Sequence, residues 1–160
     1  SPRRGETFVS RKIVIGLTKI KLGVQDFMKI GNLDASRDWG HAKDYVEMMW
    51  KMLQLKKPED FVIATGNAYT VREFINYACK YLSINIKWKG KGLKEYAINL
   101  ANGKKIIVVD KKYFRPNEVH YLRGDSKKAQ TKLKWKPKYN LKKIVKEMVD
   151  HEFYINKKNS

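Results

Sequence analysis

Apolar residues fall in short blocks whose spacing alternates between helical and strand periods. Over residues 6–22, Val9, Ile13, Leu17 and Ile20 recur on one face and Gly23 stops the run, which predicts a first helix. Phe27-Met28-Lys29-Ile30 predicts a short strand ending at Gly31. Over residues 41–55, Tyr45, Val46, Met49, Trp50 and Leu53 form an apolar stripe at helical spacing, and Pro58 breaks the chain after it. The run Phe61-Val62-Ile63-Ala64-Thr65-Gly66 has the pattern of a buried strand. Thr70-Val71-Arg72-Glu73 is a capping box, so a third helix starts there, with Val71, Phe74, Ile75, Ala78 and Leu82 turned inward.

Residues 84–88 alternate as a strand does. Residues 96–100 and 105–110 flank Ala101-Asn102-Gly103, which predicts a hairpin with an Asn-Gly turn. A short helix over 125–133 and a longer one over 140–153 close the chain, and the polar residues 155–160 are expected to fray. Helices alternating with a few short strands predict one α/β or α+β domain over residues 1–160, without enough strands for a complete doubly wound sheet. The chain therefore reads as a partner domain and not as a whole cofactor-binding fold.

Composition changes this picture at three points. A hydrophobic share of 42% over 160 residues is enough for a packed core. Lys and Arg total 35 against 16 Asp and Glu, a net charge of +19. Such a surplus suits nucleic acid, an acidic membrane face or phosphate-bearing ligands. Only seven of the 35 are arginine, however, and base-reading surfaces lean on arginine; the lysines are spread along polar faces, so nucleic acid is the weaker reading. The single cysteine forms no internal disulfide, which fits a reducing, cytoplasmic setting, and there is no run of apolar residues long enough for a membrane span. The opening Ser-Pro-Arg-Arg-Gly, without Met or an apolar leader, reads as the interior of a longer protein or as a truncated one.

Several chemistries find no footing. No glycine-rich turn follows a strand, no Walker motif occurs, and His41, His120 and His151 lack zinc-ligand spacing. Cys79 lies on the third helix beside its buried stripe and reads as core, not as a nucleophile. Tyr139 and Lys143 match a Tyr-x-x-x-Lys pair but straddle a helix start with no cofactor fold before them, so the match reads as coincidence.

Three polar clusters stand out. They are Ser1-Pro2-Arg3-Arg4-Gly5 ahead of the first helix, Gly31 to His41 with its Arg37-Asp38-Trp39, and Tyr113-Phe114-Arg115-Pro116-Asn117-Glu118. A helix start favours anions, loop arginines fork onto phosphates, and a loop glutamate accepts from a base edge or a ribose. The competing reading is that Arg37-Asp38 and Arg115-Glu118 are only surface ion pairs.

These same segments resemble the GDP-mannose 4,6-dehydratase family of extended short-chain dehydrogenase/reductases. The resemblance rests on Ser-Pro-Arg-Arg-Gly-Glu-Thr-Phe-Val-Ser-Arg-Lys-Ile (1–13), Leu22-Gly23, Gly-Asn-Leu-Asp-Ala-Ser-Arg-Asp-Trp-Gly-His-Ala-Lys-Asp-Tyr-Val-Glu (31–47) and Pro-Glu-Asp-Phe-Val-Ile-Ala-Thr-Gly (58–66). It continues through Val71-Arg72-Glu73-Phe74, Tyr-Phe-Arg-Pro-Asn-Glu-Val (113–119), Gly124-Asp125 and Leu133-Lys134-Trp135-Lys136-Pro137. It implies the smaller C-terminal, substrate-binding domain of such an enzyme. NADP would then be held mainly by an N-terminal Rossmann half that is not part of this sequence, along with the catalytic Tyr, Lys, Glu and Thr/Ser.

By the same resemblance Arg4 matches a cofactor-contacting arginine. Val9 and Lys12 line the GDP site, Gly31 and Asn32 lie beside the nucleotide, Arg37 meets the diphosphate, Arg115 meets a phosphate or ribose, and Glu118 is a GDP-contacting acid. Ser10 and Asn117 stand where the family usually has Thr. The implied partners are GDP-mannose, the Rossmann half and a possible homo-oligomer, and the chain alone is expected to lack dehydratase activity.

Overall fold

A computed structural model describes residues 1–158. Helix α1 (Val9–Lys21) leads to strand β1 (Met28–Ile30), the two-residue β2 (Ser36–Arg37) and helix α2 (Ala42–Leu53). Then come β3 (Tyr69–Thr70), helix α3 (Val71–Tyr81), the strands β4 (Ile86–Lys89), β5 (Tyr96–Asn99) and β6 (Lys105–Val109), and helices α4 (Lys127–Lys132) and α5 (Leu141–Lys158).

The main sheet has the order β1-β6-β5-β4. β4, β5 and β6 form an antiparallel meander, and β1 adds parallel to β6, with Lys29 opposite Val108. The turn between β5 and β6 bends at Gly103, whose φ of 69° suits a residue without a Cβ. β2 and β3 form a separate antiparallel pair, Arg37 opposite Tyr69, which the residue pattern did not announce.

Helices α1, α3 and α5 pack together over one face of the main sheet. Ile13, Val14 and Leu17 meet Phe74, Ile75 and Ala78, and Ile144, Val145 and Met148, over Met28, Ile30, Ala97 and Ile107. The α3 capping box is complete: the Thr70 hydroxyl accepts from Glu73 N at 3.1 Å while Thr70 N donates to the Glu73 carboxylate at 2.7 Å. Burial pushes the Cys79 thiol up to about 12, so it is protonated core. A buried pair, Arg11 with Glu152, ties α1 to α5 at 2.5 Å.

The structure departs from the sequence pattern at several points, and a second, smaller core explains the first two. Met48, Ala129 and Trp135 are fully buried, with Met52, Phe61, Ile63 and Leu133 around them. Trp135 donates its indole N–H to Asp44 O at 3.0 Å, and the buried Asp44 carboxylate accepts from Lys138 N and Tyr139 N at 3.0 and 3.1 Å. A buried carboxylate with two backbone donors is tolerated, so α2 turns its Asp44–Met48–Met52 side inward. The expected apolar stripe therefore faces the other way: Val46, Met49, Trp50 and Leu53 are exposed, and only Tyr45 is partly covered.

The second departure is the run 61–66, which is not a strand. Ala64 is buried and Phe61 and Ile63 are half-buried, yet no strand among the described residues pairs with it. Its length and composition suit a strand, but a strand exists only where a neighbour supplies the ladder. The third is the C-terminal tail: α5 continues through Lys158 where fraying was expected from 155, because Phe153 still packs on the core and Asn156 bonds back to Glu152. Residues 159–160 of that expected tail lie outside the described residues. At the other end, α1 starts at Val9 and not at residue 6, because the chain turns through residues 1–7 first. No helix among the described residues is long and apolar enough to cross a membrane.

Candidate functional site

The end of β1, the start of α1 and the loop 113–119 converge on one cleft of about 330 Å³. Val9, Lys12, Gly31, Asn32, Arg37, Arg115 and Glu118 all line it, together with Thr7, Phe8, Ala35 and Tyr113. Every residue singled out for substrate is thus brought to one place by elements distant in sequence. Phe8 caps α1 without any side-chain bond, so the first backbone N–H groups of the helix lack a side-chain acceptor beside this cleft.

The loop 113–119 is pinned at two points. Asn32 donates through its amide to Arg115 O at 3.0 Å and accepts from Arg115 N at 2.8 Å. Arg37 donates to Val119 O at 2.6 Å and to its neighbour Ser36 O at 2.7 Å, and ion-pairs with Glu118. Glu118 also faces Arg115, 3.9 Å away, whose guanidinium is otherwise open to solvent. Gly31 has to be glycine for this fit, since a Cβ there would lie 2.0 Å from Tyr113 O. The Lys12 ammonium sits 3.3 Å from the centre of the Tyr113 ring. Burial lowers the Lys12 pKa, with Asp110 opposing that shift and Lys112 adding to it.

The ion pairs differ from one of the two simple alternatives. Arg37 is not paired with Asp38. The Asp38 carboxylate instead accepts from Thr65 N and Gly66 N, both at 2.9 Å, from the Thr65 hydroxyl at 2.5 Å and from Gly124 N at 3.3 Å. It staples the 61–66 segment to residue 124, and Arg37 is left to the cleft. Three cations (Lys12, Arg37, Arg115) against Glu118 leave the cleft with a net positive charge.

Arg4 lies apart, in a neighbouring groove with Phe8, Val9, Asp38, Trp39, Gly40 and Tyr45, its guanidinium 3.5 Å above the Phe8 ring. Phe8 and Val9 line both grooves. Of the lining residues that the residue pattern did not single out, Tyr113 and Ala35 stood within the polar clusters, while Thr7 and Phe8 did not. The Tyr139–Lys143 match stays outside the cleft: Tyr139 stacks on His41 at 4.0 Å, and Lys143 reaches only toward Lys138 O at 3.5 Å. No group of three or more His, Cys, Asp and Glu among the described residues is placed to hold a metal.

The fold is that of the smaller lobe of extended short-chain dehydrogenase/reductases. RMD of Pseudomonas aeruginosa, solved with NADPH, superposes over 97% of this chain and 46% of its own, with a TM-score of 0.78 at 18% identity. The dTDP-glucose 4,6-dehydratase of Bacillus anthracis, solved with NAD, gives 0.69 at 18% identity over 99% of this chain and 42% of its own. The model of the family GDP-mannose 4,6 dehydratase matches residues 1–148, and the chain belongs to that family. Its similarity to the GDP-mannose 4,6 dehydratases of Cricetulus griseus and Homo sapiens is 50% and 49% identity over 99% of the chain. The chain spans 43% of the length of each, corresponding to their C-terminal part.

Proposed function

We propose that this chain is the nucleotide-sugar-binding part of a GDP-mannose 4,6-dehydratase, holding GDP-mannose in the cleft between α1, β1 and the 113–119 loop. The observation that carries the reading is the convergence of Val9, Lys12, Gly31, Asn32, Arg37, Arg115 and Glu118 on that one cleft. Arg37 and Arg115 meet the dianionic diphosphate, which Lys12 also attracts. Glu118 accepts from the ribose or the base, a role that requires it to share its carboxylate with Arg37. Arg4, in the adjoining groove, would contact the cofactor.

The cofactor itself is NADP, which supplies the hydride acceptor and donor when bound. No strand among the described residues enters a helix through a glycine-rich turn, so this chain offers the dinucleotide an edge and not a cradle. The whole enzyme would convert GDP-D-mannose to GDP-4-dehydro-6-deoxy-D-mannose. This chain contributes orientation of the substrate, which lowers the barrier only when the reacting groups are also present. Alone it turns over no GDP-mannose, and formation of the 4-dehydro sugar by the purified chain with NADP would refute that.

Calorimetric titration with GDP-mannose, GDP and a random oligonucleotide, at two salt concentrations, tests the binding reading. GDP-selective heat supports it. Oligonucleotide binding that collapses with salt, with no response to GDP, overturns it and leaves the dispersed lysines as the binding surface.

A further inference from the structure

The resemblance places Asn32 beside the nucleotide, but its side-chain amide is spent elsewhere. The NH₂ donates to Arg115 O at 3.0 Å and the carbonyl accepts from Arg115 N at 2.8 Å. The two residues lie 83 positions apart, so this pair of bonds is a long-range clamp on one peptide unit. Arg115 itself has little else to hold it: its side chain is 80% exposed and its one carboxylate neighbour is 3.9 Å away. A solvated arginine on a free loop would lose much of its binding energy to ordering. A primary amide is well suited to clamping one residue in this way, because it presents a donor and an acceptor side by side.

We infer that Asn32 is a positioning residue: it fixes the backbone of Arg115, through the two amide bonds, so that the guanidinium is already placed when a nucleotide diphosphate arrives. The inference rests on the assignment of this cleft to GDP. Asn32 makes no contact with the ligand of its own, and its whole contribution passes through Arg115. Gly31 supports the same arrangement by letting the Tyr113 carbonyl come close.

The test is a double-mutant cycle on GDP affinity, using the whole 160-residue chain, with melting curves taken in parallel. Asn32→Ala is expected to weaken GDP binding about tenfold, the loss of bonds that hold one charged anchor. Arg115→Ala, at an exposed side chain, is expected to leave the fold intact and weaken binding by a similar factor. In the combined variant Asn32→Ala should cost almost nothing further. Additive losses would show that Asn32 touches the ligand directly and would overturn the inference, as would unchanged affinity in Asn32→Ala.

Asn32→Asp carries the same cycle should the alanine variant fail to fold. It keeps the acceptor for Arg115 N but sets an oxygen against Arg115 O. Its deficit relative to wild type should shrink as pH falls toward the ordinary carboxylate range, where a protonated Asp can donate again; a pH-independent ratio would also count against the clamp. Absence of GDP binding by the wild-type chain is a different failure, because it removes the site assignment itself.

Discussion

The cleft and the outer face of α2 are built on opposite terms. In the cleft, every charged side chain except Arg115 is tied to another part of the chain: Arg37 to Val119 and Glu118, Lys12 to the Tyr113 ring. The backbone around Arg115 is held as well. On α2 the charged and hydrogen-bonding residue Asp44 is buried, while Val46, Met49, Trp50 and Leu53 stand in solvent. One surface is organised without help, and the other leaves the more apolar side of its helix uncovered. The chain spans 43% of the length of its Cricetulus griseus relative, and nothing among the described residues covers the apolar side of α2.

The strongest way to break the cleft side of that contrast is Arg37→Ala. It removes the arginine proposed to meet the diphosphate, releases the loop at Val119 and strands the half-buried Glu118. GDP affinity should fall about a hundredfold, the scale of a charge-assisted anchor lost together with its loop. Calorimetry gives the number, and a loss smaller than fivefold would mean that Arg37 serves the fold and not the ligand.

Gly31→Ala attacks the same region from the backbone. A methyl group 2.0 Å from Tyr113 O cannot be relieved by a side-chain rotation, so the 113–119 loop has to shift. Overpacking of this kind costs about 1–3 kcal/mol. Chemical denaturation should show that loss along with weakened GDP binding, while an unchanged midpoint would mean that the loop yields freely.

Much of this layout was legible in the sequence, and what was missed has a common cause. The α3 start was readable because Thr70 and Glu73 satisfy each other locally. The β5–β6 hairpin was readable because Asn102-Gly103 is a local turn signal. The cleft residues were identified by resemblance, and the geometry then showed them converging. Two failures and one pairing that the residue pattern left open share a dependence on distant partners. The direction of α2 is set by Trp135, Lys138 and Tyr139 bonding to Asp44. The 61–66 run had the composition of a strand and found no ladder. The choice of Glu118 over Asp38 as partner of Arg37 depends on Asp38 being engaged by Thr65, Gly66 and Gly124.

Acid should loosen the α2 side before the cleft. His41 caps α2 through Nδ1, which accepts from Lys43 N at 3.1 Å, so its proton sits on Nε2. That nitrogen lies 3.0 Å from the Glu147 carboxylate of α5, but poorly aligned for a hydrogen bond. Burial lowers the His41 pKa, and nearby Glu147 only partly opposes this. The unfolded chain therefore binds a proton more readily than the folded one. Stability that is present above the ordinary histidine value is lost as pH falls below it, down to the folded-state pKa. Denaturation midpoints measured between pH 7.5 and 5 should show this slope, and His41→Gln should flatten it; an equal slope in the variant would assign the acid sensitivity elsewhere.

The smallest effect on the folded chain, and the sharpest on the contrast, is expected from Trp50→Ser with Leu53→Ser. Both side chains are mostly in solvent, at 61% and 81% exposure, so the substitutions remove little packing. Stability should stay within about 0.5 kcal/mol of the parent chain, as for other surface changes. GDP affinity should not move, because neither residue lines the cleft. What should change is association. Exposed apolar side chains in one contiguous stripe favour contact between copies when nothing else covers them. Sedimentation of the parent chain is expected to show a concentration-dependent rise in apparent mass that the double variant lacks. Identical sedimentation would mean that the stripe is tolerated in water as it stands, and the two faces would then differ in chemistry but not in completeness.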